Sequence, residues 1–269
     1  MPTVELPHSV TYYEDSGAGL PIVMIHGMGG DLAVWDPQVE ALRYRARLLR
    51  LDILGHGRSR ASTPPVPWRF SQFAQQVAEL LTYLAIDRAV VVGFSLGGMI
   101  AQTVAIEYPQ RTAALIIVSS VCNRTPEEQA TVERRVEQVA ASGPAGVVDR
   151  ALQRWFSPAF TARHPEIIAD WRRKTLANDP TAYLGAYQLY ADTDRQLLDL
   201  LSTIRAPTLI LTGDSDLGQT PRMAREMARR IAGAEVQILP GVPHMLLVEA
   251  ADALSAAIPA FLSRHGFGI

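Results

Sequence analysis

The sequence predicts an α/β protein with a mostly parallel, doubly wound sheet and an inserted helical cap. Three observations predict it. Up to Ser120, short runs of apolar residues alternate with helical patterns. From Asn123 to Ile204 only helical patterns occur, and from Ala206 the alternation resumes with one more strand, helix and strand. Continuous apolar strands between helices are those of a parallel sheet covered on both faces. The expected division is therefore a core of residues 1–122 and 205–269, with 123–204 as the cap.

The elements follow in order. VTYYED reads as an edge strand and PIVMIHG, an apolar run of strand length, as a buried one. A helix over Trp35–Tyr44 leads to the strand RLLRLDI. Over Phe70–Ala85, Phe73, Val77, Leu80, Leu81 and Leu84 fall at helical spacing, with Ser71 as the expected cap. AVVVGFS and AALIIVSS are two more buried strands, separated by a helix over Leu96–Tyr108. The cap carries the helical patterns EEQATVERRVEQVAA, GVVDRALQRWF and EIIADWRRKTLAN, punctuated by prolines. APTLILTG, PRMAREMARRIAG and EVQILPG give the last strand, helix and strand, and one helix over Leu246–Arg264 ends the chain.

Bulk properties narrow the function. The 269 residues are 48% hydrophobic with a formal net charge of −2, and no basic block marks a nucleic-acid partner. Arginines gather at Arg43–Arg50 and Arg172–Lys174, where interrupting apolar residues suggest solvated helix faces. The single cysteine, Cys122, forms no intrachain disulfide, which fits a reducing compartment. MPTVELPHSV has neither the charged start nor the apolar core of a signal peptide, and no apolar run is long enough to span a membrane. A cytoplasmic location is expected, with no membrane partner. No paired-His helix or Cys/His cluster calls for a metal, and no G-x-G-x-x-G follows a strand, so no cofactor is expected.

The chemistry concentrates in four loops. Gly93-Phe94-Ser95-Leu96-Gly97 matches G-x-S-x-G between a strand and a helix. Such a turn pushes the central side chain out at the carboxyl edge of the sheet, and its flanks must be small because backbone approaches closely. The free N–H groups at the helix start suit a developing oxyanion. A helix-capping serine in a glycine-rich turn is the plain alternative. Placement after the third interior strand favours a nucleophile.

A serine hydroxyl needs a base, and the base needs an orienting acid. Of the six histidines, His244 stands in LPGVPHMLLVE, between the last strand and the last helix, at the same sheet edge as Ser95. His26 and His56 sit in glycine turns, where structural hydrogen bonding is the more ordinary role; His8, His164 and His265 lack such placement. The acid is sought after LILTG, in Gly213-Asp214-Ser215-Asp216. Asp214 suits a turn or cap, whereas Asp216 lies further into the loop with freer reach. In HGMGGDLAVW, the glycines let backbone pass close to the site, so the Met28 N–H can join that of Leu96 in an oxyanion hole.

With HGMGG, DILGHGRS, GFSLGG, GDSD and the late PH in place, the chain resembles the α/β-hydrolase family over essentially its whole length. The resemblance implies the α/β-hydrolase fold, Ser95 as nucleophile, His244 as base and Asp216 as acid. It also implies that Asp52, Gly55 and Gly57 shape a turn beside the site. Within the family, GFSLGGMIAQ, ALQRWFSPAF and RAPTLILTGDSD look most like the 3-oxoadipate enol-lactonase group of serine ester and lactone hydrolases. GDSDLGQTP departs from the D-x-x-T-P expected there, through Leu217 and Gly218.

The expected activity is cleavage of a small-molecule carboxylic ester or (enol-)lactone through an acyl-enzyme on Ser95. The alternatives are a C–C bond hydrolase of ring-cleavage products, a cofactor-free perhydrolase and a hydrolase-like small-ligand receptor. Serine at the elbow argues against haloalkane dehalogenases and epoxide hydrolases of this fold. Met245 after His244 weakens the C–C reading, since those enzymes often carry tryptophan there. Trp35 and Trp155 are expected to wall the substrate pocket, with Phe156 and Trp171 as cap packing. Arg134 and Arg154 are placed to pair with a substrate carboxylate.

Overall fold

The computed structural model describes residues 3–62, 67–192 and 194–269. The chain opens with strands β1 (Thr3–Leu6), β2 (Ser9–Gly17) and β3 (Pro21–Ile25). A tight 3-10 turn over Leu32–Trp35 leads into α1 (Asp36–Leu42), then β4 (Arg47–Leu51) and the short β5 (Arg60–Ala61). Next come α2 (Phe70–Tyr83), β6 (Ala89–Phe94), α3 (Leu96–Glu107) and β7 (Thr112–Val118). The insertion after β7 is helical among its described residues. It consists of α4 (Pro126–Ser142), α5 (Val148–Trp155), α6 (Pro158–Arg163), α7 (Pro165–Leu176), α8 (Pro180–Asp192) and α9 (Asp194–Leu200). The chain returns with β8 (Thr208–Gly213), α10 (Pro221–Arg230), β9 (Glu235–Leu239), α11 (Leu246–Glu249) and α12 (Ala251–Arg264).

The strands lie in the order β1-β2-β4-β3-β6-β7-β8-β9, with β5 against β2. From β4 to β9 every pairing is parallel, whereas β2 runs antiparallel to β1, β4 and β5. Parallel neighbours need crossovers, and the helices supply them on both faces. Alternation along each strand splits the interior in two. Ile22, Met24, Val90, Val92, Ile116 and Val118 pack with Leu254, Ile258 and Phe261 of α12. Their neighbours Val23, Ile25, Val91, Leu115 and Ile117 pack with Phe73, Val77 and Leu80 of α2 and Met99, Ile100 and Val104 of α3.

The insertion does not enclose a core of its own. Val132, Val139, Tyr183 and Tyr187 continue the cluster that contains α2 and α3. Val148, Leu152, Phe156, Phe160 and Trp171 continue the other. No helix of the described residues is long and apolar enough to cross a membrane.

Several expectations need correction. The VTYYED strand is interior, because β1 covers its outer side; β1 is four residues with alternating burial, too short to stand out. Ser71 lies inside α2, and the capping position is Arg69, whose N–H donates to Gln72 Oε1 at 2.9 Å. The last helix is broken at Ala250 into α11 and α12. Arg47 and Arg50 lie on β4, where they pair with Asp15 and Glu14 of β2.

Candidate active site

The parallel register brings the carboxyl ends of β3, β6, β8 and β9 to one edge. Ile25 pairs with Gly93, Phe94 with Val118, and Gly213 with Leu239. The four loops carrying Met28, Ser95, Asp216 and His244 leave from that edge.

At the elbow, Ser95 has φ 56° and ψ −115°, a backbone conformation that costs a non-glycine residue of order 1–3 kcal/mol. The surroundings impose it. Ser95 N–H donates to the Val118 carbonyl at 2.9 Å, and the Ser95 carbonyl accepts from Ser120 Oγ at 2.9 Å. A Cβ on Gly93 would lie 2.1 Å from the Gly97 carbonyl oxygen, and one on Gly97 would lie 2.3 Å from that of Ile25. Only glycine lets strand, turn and helix come so close.

His244 Nδ1–H donates to Asp216 Oδ2 at 2.8 Å. The other carboxylate oxygen, Oδ1, accepts the N–H groups of Gly218 and Gln219, both at 2.9 Å. The carboxylate is thus locked with one oxygen turned to the imidazole, on a histidine that also lines the cavity. Relative exposure is 3% for Asp216, 4% for His244 and 8% for Ser95, so the group is shielded yet not sealed. Asp214 stands outside the site. Its Oδ1 accepts from Ser215 Oγ at 2.9 Å and from Gly241 N–H at 2.7 Å, tying the acid turn to the histidine loop.

Met28, Ser95, Asp216 and His244 line one cavity with Arg135, Arg154, Trp155, Tyr187, Tyr190, Gly218 and Gln219. Its free volume is about 40 Å³, room for a few waters at most. Leu96 opens α3, so its N–H has no partner within the helix. Among the described residues, no backbone hydrogen bond consumes the N–H of Met28. The loop carrying Met28 is held by the insertion, where Thr175 Oγ1 and Asn178 Nδ2 donate to the Gly29 carbonyl at 3.4 and 3.2 Å.

Two expected wall residues lie elsewhere. Trp35 is 0% exposed and belongs to the core beneath the sheet, because the 3-10 turn over Leu32–Trp35 directs it inward. Arg134 points to solvent, where it donates to Thr131 Oγ1. Its neighbour Arg135 enters the cavity instead. Arg135 stands three residues after buried Val132 and four before buried Val139, on the inner stripe of α4. That phase is the signal in the sequence that distinguishes the two arginines. Tyr187 and Tyr190, on the buried side of α8, were likewise unanticipated, although their spacing with Tyr183 is helical.

Arg135 and Tyr187 line the cavity side by side, and Gln219 Nε2 donates to the Tyr190 hydroxyl at 2.6 Å. Neither Arg135 nor Arg154 has a carboxylate partner among the described residues. Burial first, and then the positive charge of Arg135, push the Arg154 guanidinium below its ordinary value. Burial raises the Tyr187 hydroxyl, so it stays a neutral donor.

His26 and His56 take structural positions. His26 Nδ1–H donates to the Gly27 carbonyl at 2.7 Å while Nε2 accepts the Ile53 N–H at 3.0 Å, which fixes the tautomer. Asp52 accepts the N–H groups of Leu32 and Arg58, both at 2.8 Å, and so shapes the adjoining turn.

A family model described as the alpha/beta hydrolase fold matches residues 21–251, and the chain belongs to that family. It is 28% identical to an (E)-2-((N-methylformamido)methylene)succinate hydrolase of Acinetobacter baylyi, over 97% of both chains. It is 27% identical to 3-oxoadipate enol-lactonase 2 of the same species, over 90% of this chain and 88% of that one. Among solved structures, the enol-lactonase from Burkholderia xenovorans superposes with a TM-score of 0.88 at 29% identity, covering 97% of this chain and all of the other. Fold and relatives together support a hydrolase.

Proposed function

We propose that the protein is a serine hydrolase that cleaves a carboxylic ester or enol-lactone through an acyl-enzyme on Ser95. The observation that carries this reading is the buried Asp216–His244 hydrogen bond opening onto the cavity that holds Ser95. His244 Nε2 takes the Ser95 hydroxyl proton as Oγ attacks the carbonyl carbon. Negative charge moves to the carbonyl oxygen, which the N–H groups of Met28 and Leu96 receive. Collapse breaks the bond to the leaving alkoxide or enolate, and His244 returns the proton to that oxygen. Water then attacks the acyl carbon by the same relay, and Ser95 departs with the acid as product. Asp216 holds the imidazole in one tautomer and stabilises its protonated form. The helices between β7 and β8 act as the cap over this edge.

Arg135 and Arg154 extend the reading to the substrate. Two half-buried guanidinium groups without a carboxylate are expensive to keep, and an anionic group in the cavity offsets that cost. The names of two relatives, an (E)-2-((N-methylformamido)methylene)succinate hydrolase and a 3-oxoadipate enol-lactonase, likewise denote carboxylate-bearing compounds. A carboxylate-bearing ester or enol-lactone is therefore the substrate class that the cavity fits best.

The test is a hydrolysis panel on the wild type and three variants. Ser95→Ala and His244→Ala are expected to lose at least about a thousandfold in kcat/KM. Arg154→Ala is expected to raise KM about tenfold or more for a carboxylate-bearing substrate while changing that for p-nitrophenyl acetate little. Hydrolysis by Ser95→Ala at the wild-type rate would overturn the mechanism. Equal losses on charged and neutral substrates would overturn only the carboxylate assignment.

A further inference from the structure

The loop bearing His244 is fastened to the insertion as well as to the sheet. Met245 N–H, the amide next to the histidine, donates to the Trp155 carbonyl at 3.0 Å. Two residues beyond Trp155, Ser157 makes a double contact with Glu249. The Ser157 N–H donates to Oε1 at 2.8 Å and its Oγ–H to Oε2 at 2.6 Å. Ser157 Oγ in turn accepts the Phe160 N–H at 3.1 Å, capping α6. Glu249 is itself one turn from the histidine, and its N–H donates to the Met245 carbonyl at 2.8 Å. Residues 155–157 and 245–249 are thus joined at both ends by three hydrogen bonds. Between them, the Trp155 ring lies 5.9 Å from the imidazole of His244, whose other neighbour is Phe94 at 4.9 Å.

We infer that Glu249 is a positioning residue, whose carboxylate clamps Ser157 and so holds Trp155 and the His244 loop in register with Ser95. The inference rests on His244 acting as the base. A loop between β9 and α11 has few internal hydrogen bonds to fix it. Asp216 holds Nδ1 and the Phe94 ring packs against the imidazole. The ring wall of Trp155 and the bond from Met245 N–H restrict it further, and both depend on where Ser157 is pinned. Both acceptor oxygens of Glu249 are used, with bonds to a charged acceptor, which are stronger than neutral ones.

The test uses Glu249→Ala, Glu249→Gln and Ser157→Ala in the full chain, assayed with p-nitrophenyl acetate and by the labelling rate of Ser95 with a fluorophosphonate. Glu249→Ala is expected to lower kcat about tenfold with KM within about twofold, and to slow labelling in parallel. Glu249→Gln should restore most of the rate, because its amide can accept the Ser157 N–H and donate to Oγ. Ser157→Ala keeps the backbone bond and should lose about threefold.

Wild-type kcat in both alanine variants would overturn the inference. So would a loss confined to KM, or a glutamine variant as slow as the alanine. Should Glu249→Ala not fold, Ser157→Ala decides: reduced kcat in a variant whose Tm falls by no more than the roughly 2–4 °C of a lost helix cap supports the clamp, and wild-type kcat overturns it. Inactive Ser95→Ala and His244→Ala beside a fully active Glu249→Ala would sink the clamp alone. Active triad variants would sink the mechanism on which it rests.

Discussion

The imidazole of His56 is buried, with Nδ1–H donating weakly to the Leu54 carbonyl at 3.3 Å and Nε2 without a hydrogen-bond partner among the described residues. Burial, helped by nearby His26, lowers its pKa from 6.5 to about 3. The unfolded chain therefore takes up a proton below pH 6.5 that the folded chain refuses until about pH 3. The stability that neutral His56 contributes is complete above that window and is lost as pH falls through it. Burial lowers His26 in the same direction. Urea unfolding at a series of pH values should show His56 contributing a fall in stability of about 1.4 kcal/mol per pH unit between about pH 6 and pH 5, with His26 adding to it in the same direction. His56→Phe should remove one such share of the slope, and an unaltered slope would show that His56 titrates normally. At the same scale, the choice between Asp214 and Asp216 is one the loop sequence leaves open. Family resemblance points to Asp216, and the fold places only Asp216 against His244.

At the scale of elements, α4 shows how local chemistry serves the site. Thr125 Oγ1 accepts the Glu128 N–H at 3.2 Å, and Glu128 Oε2 accepts the Thr125 N–H at 2.7 Å, a reciprocal capping box with Pro126 at the first helical position. Glu128 also pairs with Arg222 of α10, joining the insertion to the core at this end. Thr125→Ala should cost about 1 kcal/mol and lower Tm by roughly 2–4 °C, measurable by calorimetry. No change in Tm would mean that the cap contributes nothing once α4 is packed. The start of α4 can be read from Thr125-Pro126-Glu127-Glu128, whereas the break between α11 and α12 cannot. Ala250 and its neighbours are ordinary helix formers, and the break is a matter of Ala250 leaving the helical region, at φ −128° and ψ 38°. The strand β1 escaped for a different reason, since four residues give too short a pattern to distinguish from a loop.

For the whole molecule, the cavity lies between the carboxyl edge of the sheet and the helices of the insertion. Trp155 is the largest wall that both lines the cavity and stands over His244. Trp155→Ala should raise the ratio of kcat/KM for p-nitrophenyl butyrate over acetate by about tenfold or more, as the wall no longer excludes the longer acyl chain. An unchanged ratio would place the size limit elsewhere.

The sequence by itself determined the alternation of strands and helices, the helical insertion, the glycine-flanked turn of Ser95 and the loops that hold Asp214, Asp216 and His244. These are local matters: apolar runs, glycine positions and the loops that follow particular strands. Only the tertiary structure decided which side chains meet in the cavity. Trp35 is excluded because the turn over Leu32–Trp35 directs it into the core, and Arg135, Tyr187 and Tyr190 meet because α4 packs against α8. The clamp of Glu249 on Ser157 joins residues 92 apart in the chain, and no local pattern announces a contact that exists only once the insertion has folded back over the sheet.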